Sequence, residues 1–261
     1  MAVADLDSIV KRLIAQESGG VLSRAFHLTI GLATTAANTT SGYITAQRFP
    51  LVFPFPSLTG YTGWEPSVEA ITEDAGVLMA CIEYDLGALT MSTNTFAAGT
   101  DSIMGARTTR INGTTYSARQ TASMIPMLVA SSTLTATTPV ITITYQNQAG
   151  TGSRTCSMTL PTNAVINSAF CMTPHLNSGD TGLEDVTNMS RSAGTLGELR
   201  VKGCIPIAFS CQGVGTSMSS FTEMHKPKAP FLAESGDKLA FYFLGGATTK
   251  DLDASIFGRP I

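Results

Sequence analysis

Thr138-Pro-Val-Ile-Thr-Ile-Thr-Tyr-Gln-Asn-Gln-Ala-Gly-Thr-Gly-Ser-Arg-Thr-Cys-Ser-Met-Thr-Leu160 is the stretch on which the fold turns. Ile141 and Ile143 alternate with Thr142 and Thr144. Gln148 to Gly152 then interrupts the pattern, and Arg154 to Leu160 answers Val140 to Gln146. Strand side chains point to opposite faces with period two, so the stretch predicts two half-buried strands joined by a Gly-rich turn.

The same period runs outward in both directions. Phe26, Leu28 and Ile30 alternate with His27 and Thr29, and Leu239, Phe241 and Phe243 alternate with Ala240 and Tyr242. Asn112-Gly113, between Thr108 to Ile111 and Thr114 to Tyr116, is the strongest short hairpin signal in the chain. Further strands are expected at Gly76 to Leu86, Met124 to Ala130, Ala164 to Met172 and Cys204 to Cys211, for about ten in all. The fold class expected is all-β, an antiparallel β-sandwich of the jelly-roll type. Helix is scarce: a turn around Leu183 to Met189, and a short amphipathic N-terminal helix over Ala4 to Glu17. In that helix Leu6, Ile9, Val10, Leu13 and Ile14 form one stripe, with Asp5, Asp7, Lys11, Arg12 and Gln16 opposite. Gly19-Gly20 follows as a hinge, dividing a helical arm (1–20) from a single β domain (21–261). The stripe can pack on its own domain or on a neighbour. Between Phe49 and Pro66, prolines crowd with Phe49, Phe53, Phe55, Tyr61 and Trp64. That composition excludes a central strand and leaves an extended arm, laid either over its own sheet or against a partner.

Charge is the unusual part of the composition. Charged residues make up 13% of the 261, against about 25% in ordinary domains, while 24 Ser and 36 Thr supply the polarity. A net charge of -3 argues against nucleic-acid binding. The charges are also unevenly spread. Arg48 is alone between Ala25 and Trp64, and Arg154 is alone between Gln120 and Gly179. Exposed strands normally carry Lys or Glu against edge pairing, so these segments are expected to be covered, or else to be soluble through threonine alone. The longest apolar runs, Val77 to Ile82, Met124 to Ala130 and Leu239 to Leu244, are far short of the roughly 20 residues a membrane helix needs. The acidic opening residues argue against a cleaved leader. Cys81, Cys156, Cys171, Cys204 and Cys211 show no C-x-x-C pair, which fits buried thiols from a reducing compartment. The sequons at Asn38, Asn112 and Asn188 therefore carry little weight.

Catalytic signatures are missing or incomplete. His27, His175 and His225 lie far apart, and the loop acids Asp180, Glu184 and Asp185 lack EF-hand spacing, so no metal or cofactor is expected. Ser8 with Lys11 and Ser235 with Lys238 match S-x-x-K without its accompanying elements, and no nucleophile elbow occurs. Cys81 and Cys156 sit among apolar neighbours as inert core thiols. Glu83 and Asp85 are the one pair to weigh for glycoside hydrolysis. On a strand they share a face about 7 Å apart, although alternating acids are equally at home on an exposed face.

The Thr138 to Thr155 hairpin resembles strand-turn-strand segments of structural proteins from tailed bacteriophage virions. The short helix, the Thr/Ser/Ala/Gly-rich β body and the thin charge resemble head decoration or cement proteins with jelly-roll bodies. That resemblance implies a non-enzymatic head decoration or minor capsid component on the capsid exterior, made in the host cytoplasm. It implies a homotrimer that contacts the major capsid protein, with no nucleic acid, membrane or cofactor. The interface residues expected are Leu6, Ile9, Val10, Leu13, Ile14, Phe49, Phe53, Phe55, Tyr61 and Trp64. A tail or baseplate component, a receptor- or carbohydrate-binding jelly roll and a glycosidase remain as alternatives.

Overall fold

The structure is a computed structural model describing residues 26–33, 45–49, 52–55, 64–72, 76–101, 108–111, 114–117, 124–134, 138–161, 164–193, 196–212, 233–234, 236–244 and 251–260. These form sixteen strands: β1 Phe26–Ala33, β2 Thr45–Arg48, β3 Phe53–Pro54, β4 Trp64–Thr72, β5 Gly76–Thr90, β6 Thr95–Ala98, β7 Thr108–Ile111, β8 Thr114–Ser117, β9 Ile125–Ala130, β10 Val140–Asn147, β11 Arg154–Thr159, β12 Ser168–Cys171, β13 Leu183–Arg191, β14 Glu198–Gln212, β15 Lys238–Leu244 and β16 Asp251–Pro260. Every pairing is antiparallel, so the expected all-β, sandwich-like class is borne out. Both expected hairpins form, β10 on β11 and β7 on β8. The helical turn expected around Leu183 is instead β13. Leu183, Val186 and Met189 reach the core from a strand because bulges against β10 reset its parity. The expected helix over residues 4–17 lies outside the described residues.

The largest sheet closes on itself. Its order runs β3-β15-β2-β12-β9-β14-β5-β6, and β15 also pairs with β5, from Lys238↔Glu83 to Leu244↔Val77. Six strands, β15, β2, β12, β9, β14 and β5, therefore form a ring. β5 is long enough to serve two partners on one side, β15 with its first half and β6 with its second. The change of partner falls next to Gly87, whose φ of 151° lies in a region that favours glycine and where the Phe96 ring occupies the place of a Cβ.

Composition distinguishes the two faces of this ring. One face carries Leu78, Ile82, Leu128, Phe170, Val201, Phe241 and Phe243. These share a core with Ile141, Ile143 and Tyr145 of β10, Met158 of β11 and Val68 of β4. The sheet β11-β10-β13 thus packs on the ring's outside, giving the two-layer arrangement of a sandwich. The other face carries Ala46, Met79, Cys81, Met127, Val129, Ala169, Cys204, Ala240 and Tyr242, drawn from all six ring strands and from no other strand. All nine are buried without a covering sheet among the described strands, which places them inside the barrel. A six-stranded barrel is too narrow for large residues from every strand, and five of the nine are Ala or Cys. A second three-stranded sheet has the order β1-β16-β4.

The proline-rich segment behaves as its composition requires. β3 and β4 are both at sheet edges, where a missing N–H costs no ladder bond.

Candidate functional site

Polar side chains gather at one end of the barrel interior. Glu83 on β5 projects to the same side as Cys81, and its side chain is 2% exposed. Arg48, at the end of β2, grips it with both prongs, Nε to Oε2 at 2.6 Å and Nη2 to Oε1 at 2.8 Å. The Tyr242 hydroxyl donates to Oε2 at 2.6 Å, and Lys202 Nζ on β14 lies 3.5 Å from Oε1. Tyr242 faces Met79 in register, four residues before Glu83 along β5. Side chains so far apart in register meet because they converge on the concave side of the ring.

The charges continue outward as an alternating ladder. Lys202 also lies 3.5 Å from Asp85 Oδ2, Arg200 Nη1 donates to the same oxygen at 2.7 Å, and Arg200 Nε donates to Glu198 at 2.9 Å. Ser131 Oγ closes the end with a 2.7 Å bond to Glu198. Exposure rises along this line, from 2% at Glu83 to 34% at Glu198, so the ladder runs from the barrel interior to solvent.

Protonation follows from the contacts. Burial pushes the Glu83 carboxyl upward, but the Arg48 fork, Lys202 and Tyr242 outweigh it and hold the carboxyl below its ordinary value. Burial would lower Arg48, yet the bond to Glu83 raises it. Burial raises Tyr242 and Cys81. Glu198 is lowered by the Ser131 hydrogen bond, against burial, with help from Arg200. A glycosidase acid needs a carboxyl raised toward neutrality, and a nucleophile needs a free oxygen. Glu83 has neither. The picture of Glu83 and Asp85 as acids on an exposed face is also corrected, because Glu83 is buried and both are paired with cations.

A second ionic cluster locks the hairpin on which the fold turns. Asp180 accepts from the Tyr145 hydroxyl at 2.6 Å, Arg154 Nε at 2.5 Å and Asn147 Nδ2 at 2.8 Å. Asn147 Oδ1 in turn accepts the backbone N–H groups of Ala149 and Thr151 at 3.1 and 2.8 Å, shaping the turn. Burial opposes ionisation of Asp180, but the bonds from Tyr145, Asn147 and Arg154 bring its carboxyl below the ordinary value.

The two arginines that stand alone in the charge-poor segments are therefore both committed internally, Arg48 to Glu83 and Arg154 to Asp180. Their isolation was the sequence signal for both clusters. Lys202, Tyr242 and Ser131 gave no comparable sign.

Phe49, Phe53 and Phe55 are buried in the subunit's own core, with Phe53 and Phe55 in edge-to-face contact at 5.8 Å. This corrects their expected place at a subunit interface: the β2 to β3 stretch lies along β15, and its aromatics fill the core against the ring's outer wall. Trp64 begins β4. Leu6, Ile9, Val10, Leu13, Ile14 and Tyr61 lie outside the described residues. Cys81 and Cys156 are buried thiols, and burial pushes Cys156 up to about 11. Among the described residues no three His, Cys, Asp or Glu side chains come together as metal ligands.

No protein-family model matches the chain, and no curated protein matches it. Solved structures of infectious bursal disease virus are similar at a low level. The VP2 subviral particle aligns over 100% of this chain and 86% of that chain, at 11% identity and a TM-score of 0.18. The virus's Gt strain structure covers 97% of this chain and 86% of that one, and its T=1 particle covers 97% and 82%. Both are at 10% identity and a TM-score of 0.17. A TM-score of this size describes no shared superposable core, and the reading of function rests on the chain's own residues.

Proposed function

We propose that the chain is a non-enzymatic virion structural protein, a head decoration, cement or minor capsid component that stabilises a shell through subunit contacts. The observation that carries this reading is the saturation of the carboxylates at the centre of its two ionic clusters. Glu83 and Asp180 are each saturated by an arginine, a tyrosine hydroxyl and a further donor. What the β10–β11 hairpin offers to solvent is hydroxyls, with Thr155, Ser157 and Thr159 exposed. Interiors built from saturated ion pairs supply rigidity and not proton transfer. Uncharged polar surfaces suit contacts that exclude charge at their centres. The resemblance of the hairpin to phage virion segments points the same way and suggests three copies around a closed axis on the shell's exterior.

The test is composition and binding of particles. Gradient-purified virions from cells producing the chain are expected to contain it in fixed stoichiometry, and purified chain is expected to cosediment with shells lacking it. Its absence from purified virions, or saccharide hydrolysis that is lost in Glu83→Gln, would overturn the reading.

A further inference from the structure

The two edges of the sheet β11-β10-β13 are treated differently. β13 is bulged against β10, carries Glu184, Asp185 and Arg191, and is tied to the turn after β5. There Asn94 Oδ1 accepts the Arg191 N–H, and the Arg191 side chain donates to the Met91 carbonyl. These are the devices by which proteins blunt a sheet edge. β11 has one of them, at its start, where Arg154 is paired with Asp180, and none beyond it. Its register with β10 runs from Val140↔Thr159 to Tyr145↔Arg154 without a shift, and Thr155 to Leu160 contains neither charge nor proline. Among the described residues β10 is its one partner strand.

The direction of the unpaired groups follows from the ladder. Leu160 N–H donates to the Pro139 carbonyl, so Pro139 and Leu160 form a hydrogen-bonded pair. Antiparallel pairs alternate, which gives Met158, Cys156 and Arg154 their hydrogen bonds toward β10. Thr155, Ser157 and Thr159 are the non-bonded positions, and the 2.9 Å contact between the Thr142 and Ser157 hydroxyls fits the closer side chains of such a pair. The N–H and C=O groups of Thr155, Ser157 and Thr159 therefore point away from β10.

We propose that this edge pairs with the same edge of a second copy of the chain, antiparallel across a two-fold axis through Ser157. The register is self-complementary. Ser157 faces its own copy, Thr155 faces Thr159, and each is a hydrogen-bonded pair, for about six main-chain bonds in all. Between them Cys156 faces Met158, both buried on the inner side, so apolar meets apolar and hydroxyl meets hydroxyl throughout. The occupant is a second copy because no foreign strand is needed to match this alternation. The inference rests on the assembly reading above for its role, and on the register for its geometry.

Sedimentation equilibrium on the purified chain tests it, with circular dichroism as the check on folding. The chain is expected to form a dimer or a larger even-numbered assembly, and Ser157→Ala is expected to retain it because the backbone groups remain. Ser157→Lys and Ser157→Glu each place like charges on the axis, weakening association about fivefold or more, and mixing the two variants restores it. Ser157→Pro removes the central donor without touching the β10 ladder and is expected to halve the size of the assembly, from dimer to monomer or from paired trimers to single ones. A monomeric wild-type chain would overturn the proposal, as would a trimer indifferent to all three disruptive substitutions. Either result with particle binding intact would leave the assembly reading standing and remove only this contact.

Discussion

Replacing Arg48 by Met leaves Glu83 ionised inside the barrel without its main partner. The side chains involved are 12% and 2% exposed, and two short hydrogen bonds are lost at once. Removing one partner of a buried ion pair costs about 3–5 kcal/mol, most of it the penalty on the charge left behind. Tyr242 and Lys202 still contact Glu83, so the lower end, about 3 kcal/mol, is expected. For a chain of this size each kcal/mol moves the melting temperature by about 2–4 °C, so the shift is roughly 6–12 °C. The double variant Arg48→Met with Glu83→Leu removes both charges and is expected to recover most of that loss, since apolar replacements of whole buried pairs are often neutral. Acid supplies an independent check. The folded Glu83 carboxyl lies below its ordinary value, so the network stabilises above the unfolded carboxylate range and fails as pH falls through the folded value. In Arg48→Met, protonation instead relieves the stranded charge, and the gap to wild type narrows on acidification. Denaturant unfolding followed by circular dichroism at several pH values measures all three. A loss below about 1 kcal/mol, or a double variant no better than the single, refutes the account of Glu83 as a buried charge that needs Arg48.

Two further outcomes follow from the same contacts. Asp180→Asn is expected to loosen the turn after β10, seen as faster amide exchange at Ala149 and Thr151. Wild-type protein is expected to lose this protection in acid, because the Asp180 carboxyl sits below its ordinary value; protection unchanged down to the folded value would contradict the clasp. Native protein is expected to react with iodoacetamide at Cys81 and Cys156 only after denaturation, since burial raises both thiols and excludes the reagent. Mass spectrometry showing rapid native labelling at either would place them elsewhere than in the core.

Period-two alternation located the strands whose one face is wet, such as β10 and β11. It could not show that β5 belongs to a closed ring. Val77 to Ile82 reads as an unbroken apolar run because both its faces are buried, one in the barrel and one under the outer core. Closure depends on pairings such as Leu239↔Ile82, distant in sequence and carrying no local mark. β13 was hidden for another reason: its bulges break the alternation, so Leu183, Val186 and Met189 imitate helical spacing. The ion clusters were half visible. Arg48 and Arg154 stood out by isolation and Glu83 by its place between Ile82 and Tyr84, but which carboxylate each arginine would meet was set by the barrel.

Thin charge has two different causes along this chain, and only one concerns a partner. In β9, Met127 and Val129 face the barrel interior while Leu128 and Ala130 face the outer core, so a charge on either parity would be buried. The absence of charge there is a requirement of folding. The exposed residues of β11 are under no such constraint. Thr155, Ser157 and Thr159 face solvent at an edge where a lysine would cost the fold little and would protect it from pairing. An edge left smooth and uncharged from Thr155 to Thr159 is a liability unless something pairs with it, and its self-complementary register makes another copy of the chain the strand that fits. A chain that works alone would be better served by charge there.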